Sequence, residues 1–124
     1  MSYWIVFLGA GLGGCLRHFI NTLSKSLTLP WATFFINVTG SMVMGMTVAY
    51  LAHRGNLSQN WRLFFATGVL GGYTTFSTFS LDAAVLIEKG KPGAACAYIA
   101  GSVLLGLLGL FGGMRAVGFL LKTP

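Results

Sequence analysis

The chain has 124 residues, of which 55% are hydrophobic and only 8% charged, with a mean hydropathy of +0.76. A soluble domain carries about 25% charged residues, so this composition excludes a water-covered globule and points to an all-α integral membrane protein. Eight Lys and Arg against two acids give a formal charge of +6, but they stand singly between apolar runs, so no nucleic-acid partner is expected; nucleic-acid binders gather such charge into one patch or stripe.

A transmembrane helix needs about 20 mostly apolar residues. Residues 4–20 form the first such run. No basic residue precedes it and no clear cleavage motif follows, so it reads as a span and not as a signal peptide. Gly9 and Gly13 make a small-residue pair for close helix packing. Gly9, Gly11 and Gly14 also spell G-x-G-x-x-G, but that fingerprint needs a preceding strand and an acid about 20 residues later, and neither is present. Cys15, like Cys96 later, is read as a small packing residue. Arg17 sits near the end of this span.

The second run covers residues 31–51 and holds a second small pair, Ser41 and Gly45. Asn37 lies inside it. An amide among apolar residues must face the bundle interior, either bridging helices or lining a pore. The third run covers residues 63–87, and its centre reads Gly71-Gly72-Tyr73-Thr74-Thr75-Phe76-Ser77-Thr78-Phe79-Ser80. Two glycines followed by hydroxyl residues make a poor helix centre. The third helix is therefore expected to break at mid-membrane, which is tolerated only where backbone is buried or lines a cavity. Such breaks hold ions; a glycine kink capped by Thr hydroxyls is the plainer alternative. Phe76 and Phe79 share a helix face, and their ring edges carry partial positive charge that can face an anion. Ser77 and Thr78 add donors on the same turn. The fourth run, residues 94–121, carries Tyr98 and Ser102 one turn apart and a third small pair, Gly109 and Gly113. The whole is read as one four-helix transmembrane domain, 1–124.

Four spans leave both termini on one side. Arg54, Arg62, Arg115 and Lys122 fall on that side, and Arg17, Lys25, Lys89 and Lys91 on the other. Topology follows an excess of Lys and Arg, and here there is none. The balance suits a chain that inserts both ways and pairs as an antiparallel, dual-topology homodimer; a single topology with a weak signal is the alternative. Arg17 and Asp82 are expected at the same membrane face, as an ion pair or with Arg17 drawing anions into a vestibule.

These residues resemble the Fluc family of fluoride channels, also called CrcB proteins, over nearly the whole chain. Gly13-Gly14 with Arg17-His18, the segment from Thr33 to Ser41 centred on Asn37, and Gly68 to Ser80 carry the likeness. The Thr-Phe-Ser-Thr-Phe-Ser run is its most specific part. The resemblance implies a passive fluoride channel, with two pores at an antiparallel dimer interface, exporting fluoride across the bacterial inner membrane. It implies that Phe76 and Phe79 face the pore, that Asn37 is a pore amide, and that Ser77, Thr78 and Ser102 belong to a polar track beside Tyr98. It further implies a structural sodium ion at the dimer centre, held by the carbonyls of Gly71 and Thr74. Backbone oxygens suit a hard cation. Tyr73 stands where an aliphatic residue is expected, and is expected to pack beside the break. Gly106 stands one turn after Ser102, where some relatives carry a second hydroxyl.

A small multidrug transporter is the main rival, but proton-coupled export needs an embedded carboxylate, and the first span has none. Asp82 is the sole candidate. A non-transporting assembly factor would leave the broken span without a purpose. His18 and His53 are isolated and the serines lack a base, so no enzyme is expected.

Overall fold

Inside lipid, backbone N–H and C=O groups must bond one another, because no water is there to receive them. The apolar runs accordingly fold as helices. The computed structural model describes residues 1–27 and 29–122. Among these, no strand occurs. The helices are α1 (Ser2–Leu23), α2 (Trp31–Arg54), the short α3 (Gln59–Arg62), a π-helical segment π1 (Leu63–Leu70), α4 (Gly71–Tyr73), α5 (Phe76–Glu88) and α6 (Pro92–Lys122).

Each helix outruns its apolar run by a few residues, because backbone bonding continues past the last apolar side chain. Helix α2 stops at Gly55, whose φ of 59° lies in the left-handed region, a usual way to end a helix. Gly90, at φ 72°, follows α5, and Pro92 then opens α6 at the position where a missing N–H costs nothing. Helices α1, α2 and α6 are long and apolar enough to cross a membrane by length and composition. With 31 residues, α6 is about 46 Å long at 1.5 Å per residue, so it exceeds the hydrocarbon thickness unless tilted.

The expected third run, 63–87, is present in pieces, interrupted inside the centre read from sequence but just past its glycines. Gly71 and Gly72 are helical, and the chain leaves the helix at Thr74 and Thr75 instead. The glycines meet a packing demand. A Cβ on Gly72 would collide with the backbone of Ala10 in α1. The π-helical stretch Leu63–Leu70 was not anticipated; one extra residue per turn leaves no mark on hydropathy.

Helix α1 packs on π1 and α4, α2 packs along α6, and α5 leans on α6. The small pairs read from sequence make these contacts. A Cβ on Gly9 would stand 2.5 Å from the Phe64 carbonyl oxygen, and one on Gly13 would strike that of Val69. Across the other pair, Gly45 lies on the Leu110 carbonyl and Gly113 on that of Met42. Backbone approach of this kind drives helix association where lipid is as apolar as the side chains. Large apolar residues such as Leu8, Leu12, Leu108 and Phe119 are exposed, and Ile36 is the only large side chain fully enclosed among the described residues.

Gly13→Ala and Gly45→Ala should each lower stability by about 1–3 kcal/mol, the usual cost of overpacking. Gly11→Ala, with open space around it, should leave stability unchanged. Unfolding midpoints in detergent micelles measure the difference.

Candidate functional site

The two extended residues between α4 and α5 interrupt the helical ladder, so their four backbone polar groups cannot all be served within it. Thr74 has φ −76° and ψ 157°, and Thr75 has φ −151° and ψ 121°. Buried backbone groups must find partners, and all four do. Thr74 N–H donates to the Leu70 carbonyl at 3.0 Å. Thr75 N–H donates to Asn37 Oδ1 at 2.8 Å, and Asn37 Nδ2 donates back to the Thr75 carbonyl at 2.9 Å. The Thr74 carbonyl accepts from Arg17 Nη1 at 3.3 Å.

Asn37 thus imitates a neighbouring peptide, offering one donor and one acceptor to a single residue of α2's neighbour. Of the two readings open for it in sequence, bridging between segments is observed. Its amide also lines the cavity described below, and its second Nδ2 proton is not needed for the clamp.

Thr75 is the hub that sequence reasoning passed over. Its side chain caps α5 by accepting from Thr78 N–H at 3.2 Å. Its hydroxyl donates to Thr78 Oγ1 at 3.2 Å and lies 3.3 Å from Ser77 Oγ. The signal was available: a Thr directly ahead of a helical run is a strong N-cap.

Tyr73 is buried beside the break, as expected from sequence, and its ring packs against Gly40. Its hydroxyl lies 3.0 Å from Thr39 Oγ1. Thr39 already donates to Phe35 O at 2.6 Å, so Tyr73 is the donor. A second polar tie to α2 therefore stands two residues from the Asn37 clamp.

A cavity of about 290 Å³ opens against the break. Asn37, Thr74, Thr75, Phe76, Phe79 and Ser102 are among its lining residues. Phe76 is 79% exposed, and its ring centroid lies 5.6 Å from that of Phe79. The Phe79 ring in turn lies 5.3 Å from Tyr98. Ser102 is only 8% exposed, yet its Oγ has no hydrogen-bond partner. A serine in a helix commonly bonds its own backbone; this one does not. An unpartnered buried hydroxyl asks for a ligand or a water.

The structure brings Asn37, Phe76, Phe79 and Ser102 to one cavity, while Ser77, Thr78 and Tyr98 do not line it. It separates the two charges. Arg17 is spent on the Thr74 carbonyl, while Asp82 accepts from the Tyr98 hydroxyl at 3.3 Å. Among the described residues the Arg17–Asp82 ion pair considered from sequence is not made, because each charge has a nearer polar partner.

For the implied sodium ion, the donor chemistry fits in kind. Thr75 N–H would serve the Gly71 carbonyl in a continuous helix, and it serves Asn37 instead. Gly71 is on an exposed face of the chain. Thr74 presents its carbonyl from an extended residue, where a guanidinium already points at it. Two oxygens from one chain fall short of the oxygen shell that a hard cation takes.

The family model described as CrcB-like protein, Camphor Resistance (CrcB), matches residues 4–114. The chain belongs to the CrcB family. It is 55% identical over 120 residues to a protein of Rhodopseudomonas palustris strain BisB5, covering 94% of this chain and 97% of the relative. A Beijerinckia indica protein is 58% identical over 115 residues, covering 89% and 91%. One from Granulibacter bethesdensis is 44% identical over 125 residues, covering 98% of each. All three relatives bear the name fluoride-specific ion channel FluC. With this membership and three membrane-capable helices, the chain is a multi-pass membrane protein.

Asn37→Ala should strand both Thr75 groups. Leaving a buried group unpaired costs about 1–3 kcal/mol, so the unfolding midpoint in micelles should fall. The Thr75 amide should also exchange its hydrogen much faster, while amides in the middle of α2 keep their protection.

Proposed function

We propose that this chain is a passive, fluoride-selective channel that exports fluoride across the bacterial inner membrane. Two antiparallel copies would form two pores, with the broken segment as the third of four spans. The observation that carries the reading is the unpartnered Ser102 hydroxyl, buried in a cavity beside the Phe76 and Phe79 rings and the Asn37 amide. The name borne by the relatives supports it.

A small anion that leaves water needs donors to replace its shell. Ser102 Oγ–H, the second Nδ2 proton of Asn37, and the Ser77 and Thr78 hydroxyls are of the right kind. The ring edges of Phe76 and Phe79 add a weakly positive wall. Thr75 holds the α5 N-terminus, whose dipole favours negative charge, beside the same cavity. Gly106 supplies no hydroxyl, but a Cβ there would stand 3.7 Å from Ser41 Oγ, and Ser41 also lines the cavity. Ser41 on α2 thus offers a donor at that level of the track.

With Phe76 at 79% exposure, one chain makes a single wall, and a second copy would close the pore. Sodium, held between copies by the Gly71 and Thr74 carbonyls, would fix the interface without being carried. Downhill export needs no coupling residue and no catalysis, since an interior negative potential drives an anion outward.

Liposomes loaded with fluoride and carrying the purified protein test this. Fast electrogenic fluoride efflux, with none for chloride, is expected. Phe76→Ile should slow it. Ser102→Ala should also slow it while leaving stability equal or higher, because it removes an unpaired buried hydroxyl. No fluoride efflux from folded protein would overturn the reading and move attention to proton-coupled transport at Asp82.

A further inference from the structure

Near its C-terminal end, α6 carries an outward hollow of about 560 Å³, lined by Phe111, Met114, Arg115, Gly118, Phe119 and Lys122. We propose that this hollow binds one anionic phospholipid, its headgroup phosphate between Arg115 and Lys122 and an acyl chain along Phe111 and Met114. This requires only that the chain spans a membrane, and it stands apart from the channel reading.

The depth of Arg115 sets it apart from the other cations. A Cβ on Gly45 would stand 3.1 Å from Met114 N, and one on Gly113 would stand 3.1 Å from Met46 N. Met46 on α2 and Met114 on α6 are therefore level. Arg54 and Lys122 each lie eight residues further along and mark the membrane face. Arg115 comes seven residues before Lys122, so it lies about 10 Å deeper at 1.5 Å per residue. A charge inside a membrane ordinarily faces the bundle interior and pairs there. Arg115 is exposed instead. Among the described residues, neither it nor Lys122 makes a hydrogen bond or an ion pair.

The helix leaves room for a headgroup between these two cations. Residues three and four apart share a helix face, which places Arg115, Gly118 and Lys122 in one row. A Cβ on Gly118 would meet nothing within 4 Å, so a notch separates the two charges. Phe111 stands one turn deeper than Arg115 and is 57% exposed, which suits an acyl chain. A lone arginine would simply climb to the headgroup layer. Here a second cation on the same face gives one phosphate two charged donors, and such charge-assisted bonds are the strong ones.

Charge favours a lipid over a second copy. Arg54, Arg62, Arg115 and Lys122 gather at this end, while both acids, Asp82 and Glu88, belong to α5 and lie toward the opposite face. An antiparallel copy would present that opposite end. There Lys25, Lys89 and Lys91 outnumber the acids, and Asp82 already takes the Tyr98 hydroxyl. Cation would meet cation. An anionic phospholipid supplies both the missing charge and an apolar chain.

Native mass spectrometry of the purified protein in detergent micelles, titrated with phosphatidylglycerol or phosphatidylcholine, tests this. The wild-type dimer should retain one phosphatidylglycerol per chain in preference to phosphatidylcholine. The double variant Arg115→Gln with Lys122→Gln should bind it roughly thirty-fold more weakly, the worth of two cations beside an anionic headgroup. Arg54 lies over the Tyr50 ring, and neither it nor Arg62 lines the hollow. The charge-matched control Arg54→Gln with Arg62→Gln should therefore bind as wild type does. Gly118→Leu, which fills the notch, should lose the lipid with no change in charge.

Equal loss in the two double variants would overturn the proposal, because binding would then follow net charge alone. Equal retention of the two lipids by wild type would overturn it, as would wild-type binding by Gly118→Leu. Lipid carried by single chains but absent from dimers would give the hollow to a second copy and overturn it as well.

Discussion

A peptide group that leaves a helix in an apolar medium must be met by another polar group, and the Asn37 amide meets Thr75 on both sides. The rest of the site depends on that clamp. Because Asn37 takes Thr75 N–H and C=O together, the chain can turn from α4 into an extended pair and begin a new helix. The new helix start, capped by the Thr75 hydroxyl, brings Phe76 and Phe79 to the cavity. A continuous helix would bury the same N–H groups in its own ladder. The helix end would then have no free dipole to offer an anion.

Clamping also requires that α2 and the broken segment stay close. Gly40 permits this, since a Cβ there would collide with the Thr74 side chain. Glycine contacts set the same distances elsewhere, with α1 lying on π1 and α4 and with α2 lying on α6. The interior is accordingly rich in backbone and small side chains around Ile36, Leu70, Tyr73 and Leu86, while most leucines and phenylalanines face outward. That inversion is ordinary in lipid, where apolar surface gains nothing by burial and close backbone approach gains dispersion and hydrogen bonds.

Within this frame the polar groups fall into two classes. Asn37, Thr74, Thr75, Tyr73, Thr39 and Arg17 are occupied with holding the break. Ser102, with no partner, and Phe76, largely uncovered, have no such task and stand at the cavity. Asp82 and Tyr98 hold each other between α5 and α6. The division separates side chains that build the break from those left without a polar task there. It also explains why a short chain with two acids needs no coupled proton in the proposed reading.

Sequence by itself determined the local and periodic features. Apolar runs located α1, α2 and α6 to within a few residues. Glycine pairs marked the packing faces, and Phe76 and Phe79 fell on one face because three residues make nearly a turn. The family, too, was legible in the run from Gly68 to Ser80. Tertiary structure alone decided where the third segment breaks, why Gly71 and Gly72 stay helical, and which partner each polar group takes. Asn37 and Thr75 are 38 residues apart, and Arg17 and Thr74 are 57 apart. Hydropathy and spacing report a residue's own helix. Hydrogen bonds across such separations exist only once the helices have packed, and the packing, not the composition of the segment, fixes Thr75 rather than Gly71 as the point where the chain turns.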